Sequence, residues 1–194
     1  NFLKIFNANI SQNGFKQTML DVIYPLLDKL GMMWMTGSIE PIHENFVSHL
    51  IKRKCVVEID KLDVKRDNPK KFLLFLPKSE QGELSLNFLH YIIKSKGHKA
   101  INLGLNVDVQ NVFSGCHIYH PDLILTIIDN MEDPSTYSKY IDLLVQESCE
   151  ANLLLSGLQV MRQKKLYSNK IQTFQSSLEL EKILDELALN EFAE

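Results

Sequence analysis

Three groups of side chains have the types and spacing that could do chemistry. Cys116, His117 and His120 form the first, since a His-x-x-His pair can set two imidazoles on one helix face for a metal such as zinc. No further ligand follows at metal-site spacing. The pair also stands shortly before the apolar run Leu123–Ile128, at what would be the amino edge of a strand. Asp129, Glu132 and Asp133 form the second group, directly after that run, where an Mg²⁺ or phosphoacceptor site of receiver type would use them. Such a site also needs acids at the end of the first strand, and there the chain reads Leu76-Pro77-Lys78. The third is a single residue, Trp34, the one tryptophan, a large flat aromatic that suits either the core at a helix junction or the wall of a pocket. No Gly-x-Gly-x-x-Gly is present, because Asn102-Leu103-Gly104-Leu105-Asn106 carries one glycine, and there is no phosphate loop. No Ser/His/Asp or Cys/His arrangement has a catalytic spacing. The residues predict a protein that binds and does not catalyse.

The elements that must position these groups fall into two styles. From Phe15 to Met35 the residues Met19, Leu20, Ile23, Leu26, Leu27, Leu30 and Met33 recur at helical spacing, with Pro25 expected to kink the run and Gly37 to end it. A second helix is expected from Ser38–Pro41 to about Leu62, and a short one over Asn1–Ile10, which together make a helical bundle over 1–62. Residues 63–71, polar, charged and proline-marked, read as a linker. Beyond it, strands are expected at Lys71–Leu76, Ala100–Leu103, Leu123–Ile128, Asn152–Leu155 and Ile171–Phe174. Helices are expected at Leu84–Ser95, Val107–Phe113, Thr136–Glu150, Leu158–Lys165 and Leu178–Leu189. Alternation of this kind predicts an α/β domain over 72–194, a flavodoxin-like (Rossmann-like) doubly wound parallel sheet of five strands. Its ligand edge would be the loops Pro77–Gly82, Gly104–Val107, Asp129–Pro134, Ser156–Leu158 and Gln175–Ser177, with room for a ligand between sheet and bundle. His90, between Leu89 and Tyr91 on a helix, reads as half-buried structure, and His98 as part of the turn Lys96-Gly97-His98.

Composition excludes several classes. The chain has 194 residues, 45% hydrophobic and 23% charged, the profile of a folded globular protein and not of a disordered one. The longest apolar runs are far shorter than the roughly 18–20 residues of a membrane span, and no basic-then-apolar leader opens the chain. Net charge is −3; the first 69 residues carry 9 basic and 8 acidic groups, the remainder 12 and 16. Phosphate neutralisation favours a clearly basic surface, so these residues by themselves are not expected to hold DNA. Cys55, Cys116 and Cys149, odd in number and widely spaced, read as reduced thiols of a cytoplasmic protein.

The bundle segment Leu30-Gly-Met-Met-Trp34-Met-Thr-Gly37-Ser-Ile-Glu-Pro-Ile-His43-Glu44-Asn45, followed by a flavodoxin-like domain, resembles the cobalamin-binding module. More specifically, it resembles the sensory region of MerR-type transcriptional regulators of the CarH/LitR kind. The family motif of Trp, nine residues, Glu and His is matched by Trp34 and Glu44, with Asn45 in place of His. The resemblance implies that Trp34 covers the upper face of a corrin and that Glu44 and Asn45 lie near its adenosyl group. The residue after the Trp, which can supply a His to cobalt, is Met35. The family's acidic-x-His-x-x-Gly loop corresponds to Glu80-Gln-Gly82-Glu-Leu-Ser85, so the acid is kept, the lower cobalt ligand becomes Gly82 and the final Gly becomes Ser85. The family's later Gly-Gly, which makes room for the nucleotide tail, appears as Ser156-Gly157.

These departures leave two cofactor readings open. A cobalamin would be bound base-on or through another ligand, or the module is degenerate, binds no corrinoid and acts through another ligand or protein contacts. The resemblance implies an effector-sensing and oligomerisation region that pairs with itself as dimer or tetramer. DNA would be reached only through an N-terminal domain expected ahead of Asn1. A corrinoid carrier of a methyltransferase system shares the module, but it uses the lower His that Gly82 replaces.

Overall fold

A computed structural model describes residues 2–64, 66–163 and 169–189. The chain divides into two compact units, Asn1–Lys61 and Leu62–Glu194.

The first unit is helical. Helices α1 (Phe2–Asn13) and α2 (Phe15–Thr18) meet at Gly14, whose φ of 77° turns the chain between them. The long helix expected from Phe15 to Met35 is interrupted by a π turn, Met19–Ile23, before α3 (Tyr24–Met35) begins. The Tyr24 amide donates to the Met19 carbonyl, one residue further back than in an α-helix. The extra residue is absorbed next to Pro25, which has no amide to continue the ladder. Helix α3 ends in a paired closure: Gly37, at φ 69°, donates to the Trp34 carbonyl at 2.9 Å and Ser38 to the Met33 carbonyl at 2.8 Å. Helix α4 (Pro41–Asp60) then starts with proline in its first turn, where a missing amide costs nothing. The unit buries Phe6, Phe15, Met19, Ile23, Ile51, Cys55 and Ile59. Burial, then the Glu58 carboxylate, pushes the Cys55 thiol up to about 12.

The second unit is the expected doubly wound sheet. Strands β1 (Lys71–Phe75), β2 (Lys99–Asn102), β3 (Leu123–Ile127), β4 (Asn152–Ser156) and β5 (Ile171–Thr173) pair in the order β2-β1-β3-β4-β5, all parallel. That is the flavodoxin-like order. Helices α5 (Glu83–Ser95), α6 (Val109–Tyr119), α7 (Pro134–Glu147), α8 (Leu158–Arg162) and α9 (Ser177–Leu189) connect and close it. Leu73, Phe75, Ile124, Leu153 and Leu155 face Val112, Cys116, Tyr137, Ile141 and Leu144 of α6 and α7 in one core. Alternation sends Phe72, Leu74, Leu125 and Leu154 to the other face, where α5 and α9 pack together. Both faces are covered, so the central strands are near-continuous apolar runs, with Thr126 of β3 buried among them, and each buried Leu or Phe contributes about 1.5–3 kcal/mol.

The boundaries shift in informative places. Helix α6 continues through Ser114 and Gly115 to Tyr119, six residues past the expected Phe113. A Cβ at Gly115 would meet Leu73 Cδ2 at 3.2 Å, so this glycine lets the helix lie close on β1 instead of ending it. His117 therefore stands on the last turn of α6, and His120 takes the left-handed cap at φ 49°. Helix α7 starts early because Asp133 caps it, accepting from the Thr136 amide at 2.7 Å. The last two residues expected in the Leu158–Lys165 helix lie outside the described residues. Among the described residues, no helix is long and apolar enough to cross a membrane.

His98 closes the expected turn, its amide donating to the Ile93 carbonyl at 3.3 Å, and yet its side chain is fully buried at 0% exposure. The Lys70 amide donates to its Nδ1 at 3.2 Å, the Arg66 guanidinium stands 3.0 Å from Nε2, and the Phe72 ring lies 5.5 Å away. The polar segment before β1 thus covers the β2 end through this ring. His98→Ala is expected to lower unfolding stability in urea by about 2 kcal/mol, through a cavity and an orphaned buried amide. A mere turn residue would change it by less than about 0.5 kcal/mol.

Candidate functional site

In an open parallel sheet the loops beyond the carboxyl ends of the strands carry the binding groups, because strand ends and helix starts leave concave backbone there. Here that edge is organised by one carboxylate. The chain leaves β1 through Pro77-Lys-Ser-Glu80, a turn closed by the Glu80 amide donating to the Pro77 carbonyl at 3.3 Å, with Ser79 at φ 74°. A positive φ at a non-glycine residue needs outside support. Asn130 supplies it, donating from Nδ2 to the Ser79 carbonyl at 3.3 Å and to Glu80 Oε2 at 3.1 Å. Glu80 itself is only 5% exposed. It accepts from the Asp129 amide at 3.0 Å and from the Asn130 amide at 3.0 Å. The acid kept from the resemblance therefore joins the loop after β1 to the loop after β3.

Gly82 begins α5 with φ −74°, an ordinary conformation for any residue. A Cβ there would meet only Leu76 Cδ1 and Ile127 Cδ1, each at 4.0 Å. Neither backbone nor packing demands glycine at that position, so a side chain would fit. Ser85 follows in the first turn of α5, half-buried. The loops of this edge contain no histidine, so the donor set does not fit cobalt ligation by an imidazole from below. Whatever corrinoid the resemblance implies would have to be held some other way.

Gly157 is the opposite case. Its φ is 114°, and a Cβ would lie 2.4 Å from the Ile128 carbonyl oxygen. The glycine is required so that β4 and the start of α8 can cross the end of β3. Ser156, half-buried, ends β4, and its carbonyl accepts from the Ile128 amide at 2.8 Å. Asp129 Oδ1 accepts from the Leu158 amide at 2.7 Å, and Gln159 donates from Nε2 to the Asp129 carbonyl at 3.1 Å. The small pair read as room for a nucleotide tail thus has a local structural cause as well.

Two of the three acids after β3 are spent in the same way, while Glu132 lines the cavity beside Glu80. Asp129 caps α8 and Asp133 caps α7, where bonds from Thr136 and then Ser135 hold its carboxyl down at about 2. Among the described residues no cluster of three or more His, Cys, Asp or Glu could hold a metal ion. Two cavities open on this edge. One, of about 410 Å³, lies between Ser79, Glu80, Asn130 and Thr136. The other, of about 440 Å³, lies between Lys78, Val107, Gln110, Met131 and Tyr140. The Lys78–Asp108 ion pair of 2.8 Å borders the second, and burial, then the Glu80 and Asp108 carboxylates, push the Tyr140 phenol up. Sequence reasoning missed Asn130, Gln159, Met131 and Tyr140. Only Asn130, a loop-favouring residue just past a strand, carried a readable signal.

Trp34, Glu44 and Asn45 belong to the helical unit and flank its 36–40 turn. Trp34 is 49% exposed near the end of α3, Glu44 is half-buried in the first turn of α4, and Asn45 is exposed. Met32, Met35, Ile42 and Phe46 are open around the same turn.

With this geometry in view, the solved structures supply the comparison. The monomethylamine corrinoid protein of Methanosarcina barkeri superposes with a TM-score of 0.72 at 10% identity, covering 95% of this chain and 89% of that one. The chain has the fold of a corrinoid protein. The methanol:cobalamin methyltransferase complex MtaBC of Methanosarcina barkeri matches with a TM-score of 0.50 at 11% identity, over 93% of this chain and 70% of that one. A cobalamin-binding protein of Desulfitobacterium hafniense gives 0.48 at 12% identity, over 95% and 90%. No protein-family model and no curated relative matches the chain. At such identities the likeness is one of fold, and the site must be argued from this chain's residues.

The two glycines separate what the fold needs from what a cofactor would need. Gly157→Ala is expected to lower unfolding stability by about 3 kcal/mol, since strain at positive φ and a carbonyl clash add. Gly82→Ala is expected to stay within about 1 kcal/mol of the parent. Urea denaturation of both variants checks the contrast.

Proposed function

We propose that this chain is an effector-binding and oligomerisation region of a MerR-type regulator, built on the cobalamin-binding fold, and not a methyl carrier. One observation carries the reading: the loop after β1 keeps its acid as a structural clasp and has Gly82 where a lower imidazole would stand. A carrier whose cobalt changes ligation during turnover depends on that imidazole. A module that only has to sense occupancy does not. Trp34 and Glu44, at the family spacing, are the residues on which the resemblance to the regulators rests. An effector can change assembly only through unequal affinity for two assembly states, so its binding must be linked to association of protomers. DNA would be engaged by a separate domain, in keeping with the net charge of −3.

The fold likeness to carriers of methyltransferase systems supports a corrinoid over other effectors, with the cobalt ligated by its own base or by a group outside the β1 loop. A second reading, that the module has lost the corrinoid and works through protein contacts, is favoured by the Glu80 clasp, which engages both carboxylate oxygens in bonds to the loop after β3. The experiment compares the two. The protein is mixed in the dark with adenosylcobalamin or hydroxocobalamin, desalted, and read by visible spectrum and sedimentation velocity. Retained corrinoid absorbance with a change in assembly is the expected result. Retained corrinoid with unchanged assembly contradicts the regulatory reading, and a colourless protein contradicts the corrinoid reading. Gly82→His combined with Ser85→Gly is expected to raise corrinoid affinity about tenfold or more, as a Cβ at position 82 meets nothing closer than 4.0 Å.

A further inference from the structure

Two of the three cysteines meet at the edge of the sheet opposite the candidate site, and this inference is independent of the corrinoid reading. A cavity of about 700 Å³ opens at the amino ends of β3 and β4, lined by Cys116, His117, His120, Asp122, Cys149 and Glu150 among others. Cys149 is exposed and sits just after α7 in a left-handed conformation, φ 53°. Its Sγ lies 3.6 Å from Nδ1 of His117, the residue that follows Cys116 on α6. The same Nδ1 stands 3.0 Å from the Phe113 carbonyl, which only accepts, so Nδ1 carries the ring proton and donates it to that carbonyl. The Lys170 ammonium donates to the Cys149 carbonyl and pins the turn. Cys116, 1% exposed, lines the same cavity behind His117. Burial, then the neighbouring Cys149, pushes its thiol up to about 11. Helices α6 and α7 pack side by side, and Cys149 follows the end of α7 by two residues, which sets its turn beside the helix that carries Cys116.

We propose that Cys116 and Cys149 are a thiol–disulfide exchange pair that closes to an intramolecular disulfide when small-molecule disulfides accumulate. Exposed Cys149 reacts first: its thiolate attacks one sulfur of the disulfide RSSR, a mixed Cys149–S–S–R bond forms, and RS⁻ leaves. Cys116 then releases its proton to water, and its thiolate attacks the Cys149 sulfur. The protein disulfide forms and a second RS⁻ departs. The two protein thiols are oxidised and RSSR is reduced to two RSH. An isolated surface cysteine would stop at the mixed disulfide. The buried partner is what makes Cys149 resolvable. Cys55, buried in the helical unit with its thiol up at about 12, is the internal control.

The test uses the full chain in a graded series of oxidised to reduced glutathione, quenched with iodoacetamide and read by intact mass and peptide mapping. The expected product is lighter by two hydrogens, has Cys116 joined to Cys149 and Cys55 alkylatable after unfolding, and returns to the thiols with dithiothreitol. Cys116→Ser should stop at the glutathione adduct of Cys149, and Cys149→Ser should leave Cys116 unmodified. A wild-type protein that stops at the Cys149 adduct, or that links Cys55, overturns the proposal, and this readout does not depend on either variant folding.

Discussion

A buried carboxylate must be matched by donors, or the fold that buries it is not stable. At the carboxyl edge of this sheet Glu80 is that carboxylate, and the amides of Asp129 and Asn130 are its donors. The match fixes the loop after β1 to the loop after β3. Asn130 then supports Ser79 at positive φ, Asp129 is set to receive the Leu158 amide, and Gln159 closes back on the Asp129 carbonyl. The starts of α5 and α8 and the close pass of Gly157 over Ile128 all depend on where those two loops stand. An acid that reads as a cofactor-loop residue is, in this fold, the joint of the edge.

That joint has a consequence for chemistry. A site can be rigid and still lack a ligand: the loop is well braced, a Cβ at Gly82 would make only ordinary contacts with Leu76 and Ile127, and the loops of this edge hold no histidine. The scaffold and the donor set have therefore separated. Packing maintains a doubly wound sheet whatever its cargo, because the apolar faces of β1, β3 and β4 are required by the core. Ligation of a metal at the edge is an additional demand that the core does not enforce. The fold is accordingly shared with a corrinoid protein at 10% identity, while position 82 of this chain is a glycine.

Strands and crossovers were legible because parallel strands covered on both faces are near-continuous apolar runs, as Phe72–Leu76 is and as Leu123–Ile128 is apart from Thr126. Helix ends were less so. Gly115 reads as a breaker, yet it sits inside α6, because its missing Cβ lets the helix approach Leu73. The π turn before Pro25 has no letter of its own beyond the proline it precedes. Buried polar groups were the least legible. His98 stands among Lys96, Gly97 and Lys99, all surface letters, and its burial comes from Arg66 and Lys70, 32 and 28 residues away. Glu80 was correctly singled out, but its partners are backbone amides 49 and 50 residues along the chain, which no side-chain pattern encodes. Gly157 was read as space for a cofactor, and its φ of 114° together with the close Ile128 carbonyl gives it a structural cause besides, set by backbone that no spacing in the sequence shows.

The account rests on Glu80 being a structural clasp. Native-state hydrogen exchange of the Asp129 and Asn130 amides, in the parent and in Glu80→Ala, tests it directly. Bonds from amides to a carboxylate are worth about 1.5–3 kcal/mol each, so the variant should exchange those two amides about tenfold faster or more while Leu125 in β3 keeps its protection. Unchanged exchange at Asp129 and Asn130 would mean that Glu80 does not hold the edge together, and would return it to the role of a free acid facing a ligand.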